Sequence, residues 1–253
     1  MYCVWGAVPS GLAQSITPVQ QDAKTGQGTV KSMPKTAILA SVLPFLLFFM
    51  FQAIRAEDTW QKVLTCSDED ILVYTKTAPD FPIKAARGKT VARASLSALV
   101  TLIADVDSYP EWMHNVAYAK VLVQFNETAR LIYTVQQTPW PLADRDIVSY
   151  AQLRQNPDTG QILIETEARP DDYPIQKEYV RVPKMLSRWQ LIPKEECLTE
   201  VVYDIYADPG GKIPAHIANT CVIDTPLYTL KGLRRMVEKP KYREASIDFI
   251  TDR

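Results

Sequence analysis

Two histidines, three cysteines after residue 60, a scatter of tyrosines and one alternating charge triplet are the side chains of this sequence best equipped for chemistry. Metal ligation needs His, Cys or carboxylates at short, regular spacings. His114 and His216 have no partner at such a spacing, and Cys66, Cys197 and Cys221 form no CxxC pair, so no metal is expected. Spacing does not decide which of these cysteines would pair. General acid–base catalysis needs a donor and an acceptor facing each other in a shielded site. Tyr133, Tyr203 and Tyr228 are candidates by alternation, but Asp, Glu and His are scarce on the same apolar face. The triplet Asp144-Arg145-Asp146 follows a stiff Trp140-Pro141-Leu142 corner in TPWPLADRDIVSY, Thr138 to Tyr150. A carboxylate on each side of Arg145 predicts a charge-assisted clamp that pins the start of a strand.

These groups need a scaffold, and the composition provides for one. The 253 residues are 47% hydrophobic and 23% charged, enough for a single domain with a substantial core. Residues 1–32 show no apolar period, and an initiation codon assigned before Met33 would account for them. Met33 opens a segment with Lys35 in a basic start, an apolar run from Ile38 to Phe51 and a small-residue end at Ala56. That is the pattern of a signal peptide over 33–56, and the run is shorter than the roughly 20 residues that span a bilayer. Cleavage near Ala56 would send residues 57–240, the expected domain, and a tail at 241–253 to a periplasmic or secreted location. It would remove four cations and one carboxylate, leaving 24 basic against 28 acidic residues and a net charge of −4. Without a basic surplus or a Lys/Arg cluster interleaved with aromatics, nucleic acid is excluded as a partner.

Periodicity supplies the elements. Asp58 to Leu64 reads as a short helix, Ile71 to Lys76 as a strand, and Ile83 to Arg93 as a second strand region with a turn or bulge at Gly88. Ser95 is an N-cap for Leu96 to Ala104, where Leu96, Leu99, Val100 and Ile103 form one apolar stripe. Ser108 leads a short turn that throws Trp112 and Met113 inward. From Val116 to Ala207 the period is two, with hairpin turns at Asn126-Glu127, Asn156 to Gly160 and Lys194 to Glu196. Six consecutive antiparallel strands follow. In the first long hairpin Leu131, Tyr133 and Val135 read as the dry face and Arg130, Thr134 and Gln136 as the wet one. The chain ends in a long amphipathic helix carrying Ile213, Ile217, Cys221, Leu227, Leu230 and Leu233, with a kink expected at Pro226. A curved antiparallel sheet with that helix on its concave side is a two-layer α+β architecture, and a cavity between the two layers is expected.

Three separated stretches carry a resemblance: WPLADRD (Trp140 to Asp146), YVRVPKMLSRWQLIP (Tyr179 to Pro193) and YDIYADPGGKIPAHIAN (Tyr203 to Asn219). In that order they resemble the START lipid-transfer domain family, in its bacterial secreted branch, and the likeness covers Glu57 to Val237. It implies a helix-grip fold with an apolar tunnel, one lipid-like ligand, no cofactor, no chemical step and a monomer that touches a membrane transiently. Polyketide aromatase and cyclase domains resemble the same architecture and make an enzyme the alternative reading. Sterol-carrying relatives often place a base beyond the Arg-Asp pair. The matching stretch here, Ser149-Tyr150-Ala151, has none, so a sterol is not supported. Where an aromatic commonly follows the Pro-Ala pair this chain has His216, a titratable group for a pH-responsive lid. A pure interaction module on the outer sheet gains no specific feature. Residues expected to line the tunnel are Trp112, Tyr133, Ile147, Ser149, Thr166, Trp189, Val201 and Tyr203, with Ile213, Ile217, Cys221 and Leu230 from the helix and Arg145 at the mouth. A one-residue slip in register would exchange the faces.

Overall fold

The structure, a computed structural model, describes residues 59–66, 70–195, 197–211, 213, 218–219 and 222–252. The leader, His216, Ile217 and Cys221 lie outside the described residues.

The described residues form one ten-stranded sheet, antiparallel except where β8 meets β6, around two main helices. Strands β1 (Gln61–Cys66), β2 (Ile71–Lys76) and β3 (Ala85–Arg93) lead into α1 (Leu96–Ala104) and the short α2 (Tyr109–Trp112). Strands β4 (Val116–Asn126), β5 (Ala129–Gln136), β6 (Arg145–Gln155), β7 (Ile162–Ala168), β8 (Val180–Arg181), β9 (Lys184–Pro193) and β10 (Leu198–Asp208) follow. Helices α3 (Asp224–Val237) and α4 (Pro240–Arg243) close the chain. The sheet order β1-β2-β3-β10-β9-β7-β6-β5-β4 contains the expected six-strand meander, with β8 pairing parallel to β6 outside that path. The stretch read as a first helix is instead the edge strand β1, because pairing with β2 from Gln61↔Thr75 to Cys66↔Ile71 satisfies its backbone.

Local signals explain several elements. Ser95 caps α1, its side chain accepting from the Ala98 amide at 3.1 Å, as expected. Asn156 shapes the β6–β7 turn by accepting the amides of Asp158 and Thr159. Gly88 marks no break, since β3 runs through it with Tyr203 as its β10 partner. A Cβ at Gly88 would stand 2.6 Å from Leu230 Cδ1 and 2.9 Å from Pro226 Cβ, so the missing side chain lets α3 lie flush on the sheet. Gly232 does the same against α2, where a Cβ would overlap the Trp112 carbonyl. Pro226 falls in the first turn of α3, where its missing N–H leaves no intrahelical bond unmade, so it starts the helix instead of kinking it. The main core joins α1, α3 and the concave face through Leu99, Leu102, Leu230, Leu233, Val201 and Leu191. The segment after 240 belongs to this core as well, with Tyr242 and Ile250 buried in it.

Candidate functional site

Between α1 and the concave face of β5, β6, β7 and β9 lies a cavity of about 730 Å³. Its apolar wall is made by Val100 and Ile103 of α1 and by Ile132, Ala151, Ile164 and Trp189 of the sheet. Register puts these side chains on one face: Ile132 pairs with Ser149, Arg130 with Ala151, and Ile164 with Trp189. The rim is formed by Asp105, the β4–β5 hairpin from Gln124 to Thr128, and the C-terminal Ile247 and Phe249. No described residue of α3 lines this cavity. The apolar stripe of the C-terminal helix predicts a space beneath that helix. Over its described part that helix lies against the sheet at Gly88 and against α2 at Gly232, and the cavity described above lies under α1.

Of the side chains expected to face the ligand, Thr166 and Trp189 line the cavity. Behind them Trp189 stacks on Tyr203 at 4.0 Å and tilts against Trp112 at 6.2 Å, and Val201 and Leu230 fill the core beyond. Trp112 is fixed by its indole N–H donating to Ser108 Oγ at 3.1 Å. Ile147 and Ser149 are buried toward the other end of the sheet, Ile147 packing with Val182 and Met185. Ile213 is partly buried.

Tyr133 requires a correction. It faces the convex side, in a cluster with Leu131, Val135 and Val148 that Tyr173 and Tyr179 cover. Alternation had picked this row as the cavity face. The chain between β7 and β9 supplies a second cover, so the convex row is dry too, and its partner row, Arg130 and Ile132, faces the cavity. Burial, with Asp146 adding to it, pushes the Tyr133 hydroxyl well above the usual tyrosine range.

The Asp144-Arg145-Asp146 triplet also differs from the expected clamp. Adjacent strand residues point to opposite faces. Asp146, 0% exposed, therefore turns convex and takes a bidentate ion pair from Arg181, at 3.1 and 2.8 Å. Arg181 also donates to the carbonyls of Pro170, Tyr173 and Pro174, tying the covering segment down. Asp144 instead accepts the Thr138 amide at 2.8 Å and closes the corner, where Trp140 is 92% exposed ahead of a cis peptide to Pro141. Arg145 turns concave beneath the 209–211 corner, donating to the carbonyls of Ala143 and Pro209. Burial lowers its pKa, with Asp144 opposing.

The residue that sequence reasoning missed is Arg130. It lines the cavity directly across from Ala151, and its Nη1 donates to the Ala104 carbonyl at the end of α1 at 2.7 Å. The stretch Ser149-Tyr150-Ala151 lacks a base, but the neighbouring strand presents one at the same point of the concave face. The signal was present in the sequence as a charge that alternates with Leu131; it was assigned to solvent. Two other titratable groups at the cavity are engaged. Tyr109 donates to the Ile103 carbonyl at 2.8 Å and burial pushes its pKa up to about 12. Asp105 accepts from Lys241 and Tyr242, both at 2.6 Å. Burial opposes ionisation of Asp105, but those two bonds outweigh it and hold the carboxyl below its ordinary value. Among the described residues no cluster of three metal-ligating side chains occurs, and Cys66 and Cys197 are free thiols.

A curved antiparallel sheet gripping helices around an apolar cavity defines a helix-grip α+β protein. Residues 49–242 match the START domain family. An uncharacterized protein of Pseudomonas aeruginosa is 35% identical over 199 residues, which cover 79% of this chain and 96% of that protein. A STAR-related lipid transfer protein fragment from Xanthomonas axonopodis superposes with a TM-score of 0.66 at 30% identity, over 72% of this chain and 100% of the fragment. Human StAR-related lipid transfer protein 5 shares the fold at a TM-score of 0.63 and 16% identity, over 80% of this chain and 98% of its own. The chain belongs to the START domain family, the one that its three sequence motifs resemble.

Proposed function

We propose that this protein binds one lipid-like molecule in the cavity under α1 and carries it between membranes without changing it chemically. The observation that carries the reading is the cavity itself. At about 730 Å³ it falls within the range of roughly 300–1,000 Å³ typical of small-molecule sites, and its wall is apolar. Family membership and the lipid-transfer proteins among its structural neighbours point the same way. A binding role is favoured over acid–base chemistry by the state of the nearby groups. Tyr109 is held neutral and spent on a carbonyl, and Asp105 is turned to Lys241 and Tyr242. Export after cleavage near Ala56 and a monomeric state complete the reading, together with membrane contact through Trp140, whose amphipathic ring suits a lipid–water interface.

Native mass spectrometry of protein purified from a secreting host, followed by organic extraction, tests the central statement. A stoichiometric amphiphile with unchanged structure after incubation is expected; a cyclised or dehydrated product would overturn the carrier role. N-terminal sequencing should begin at Glu57. Trp140→Ala should reduce co-sedimentation with phospholipid vesicles and leave the monomeric elution volume unchanged.

A further inference from the structure

We propose that the cavity selects amphiphiles with a single oxyanion head, and that Arg130 receives that head while the apolar body lies against Ile132, Ile164 and Trp189. The inference rests on the binding role proposed above and names the class of ligand.

It starts from a donor census of the cavity. Thr101 donates to the Ser97 carbonyl, and Tyr109 to the Ile103 carbonyl. Gln124 is bonded to the carbonyls of Asn126 and Ala129, and Thr128 donates to Asn126 Oδ1. Their donors are used inside the protein. Arg130 is the one cation among the described lining residues, and its guanidinium offers a fork of N–H groups, one of which is bonded, to Ala104. No carboxylate among the described residues forms an ion pair with it. Asp105, the acid nearest in the chain on α1, is committed to Lys241 and Tyr242, while Glu127 stands exposed on the rim at the hairpin turn.

A half-buried guanidinium with spare donors, beside an apolar chamber, is a receptor for a planar or tetrahedral oxyanion, which it can bind through two parallel bonds. Its position fixes the pose. Arg130 lies three residues from the hairpin turn, near the rim and half-buried, whereas Ile164 and Trp189, on β7 and β9 across the sheet, are buried. An amphiphile would therefore enter tail first, with its head stopping beside the end of α1. A neutral head would leave the guanidinium desolvated without a partner, so neutral ligands should bind less well.

Palmitate and hexadecanol serve as paired probes that share a chain and differ in the head. In isothermal titration with the full chain, palmitate should bind roughly ten- to a hundredfold more tightly than hexadecanol, the expected gain from a charge-assisted bond. Arg130→Gln should remove that preference, weakening palmitate and relieving the penalty on hexadecanol, and Arg130→Lys should restore part of it. Because Arg130 also steadies the end of α1, Ala151→Asp is the second variant. It leaves Arg130 in place and sets a carboxylate across from it, and it should likewise abolish the preference for palmitate. Equal affinity for both probes in the unaltered protein overturns the head-group assignment and leaves the apolar-ligand reading standing. Binding of neither probe overturns both.

Discussion

The two faces of β5 and β6 solve opposite problems with similar residues. On the convex side a buried aspartate meets a buried arginine in a bidentate pair, and tyrosines from the chain between β7 and β9 seal them in. On the concave side an arginine meets a single carbonyl beside an open cavity. The first arrangement is complete and serves the fold. The second has no carboxylate partner among the described residues and faces a cavity. The difference teaches that an ionic side chain in a sheet is read best by what neutralises it: Arg181 is matched within the protein, and Arg130 waits for a ligand.

The convex side can be broken most severely. Asp146→Ala should cost about 3–5 kcal/mol, because Arg181 would stay buried without its partner. Denaturant unfolding reads this directly, and a loss under about 1 kcal/mol would mean that the convex cluster is not sealed. Breaking the concave side should leave stability nearly intact and remove the function. Ala151→Phe fills the chamber between Ile132 and Ile164, so ligand loading in native mass spectra should fall roughly tenfold or more. Unchanged loading would place the ligand elsewhere. Tyr133→Phe sharpens the contrast as the milder convex change. It should cost less than about 1.5 kcal/mol and leave loading unaltered, since the hydroxyl faces Asp146 and not the cavity.

Much of this was legible beforehand. The period of two from Val116 onward specified the meander, and the Ser95 cap with its apolar stripe specified α1. The choice of face along β5 was not legible. Leu131-Ile132-Tyr133 is apolar at three successive positions, so alternation there depends on Arg130 and Thr134 alone, and a cover on both sides makes both rows dry. The location of the cavity was hidden for a related reason. An apolar stripe says that a helix is buried, and it takes Gly88, which admits α3 onto the sheet, and Gly232, which brings α2 onto α3, to separate the packed helix from the one that leaves room. The Asp-Arg-Asp triplet invited a local clamp, yet pleating sends Arg145 and Asp146 to opposite faces and to partners more than 30 residues away.

The gentlest test concerns the rim that separates the cavity from solvent. Asp105 ends α1 and binds Lys241 and Tyr242 of α4, and the segment bearing Ile247 and Phe249 follows that helix. Its carboxyl is held below the ordinary value, about 3.9, by those two bonds against the pull of burial. A carboxyl depressed in the folded state stabilises fully above its unfolded value, and the contribution disappears as pH falls through the folded one. The anchor is therefore whole at neutral pH and loosens in acid, on the side of the cavity where the head group would sit. Asp105→Asn should lower Tm slightly at pH 7, and the gap to the unaltered protein should close as pH falls below the ordinary carboxylate range. Ligand release that quickens over the same interval, and is already fast at pH 7 in Asp105→Asn, would identify this rim as the exit; release insensitive to both would move the exit to the end of the sheet that carries Trp140.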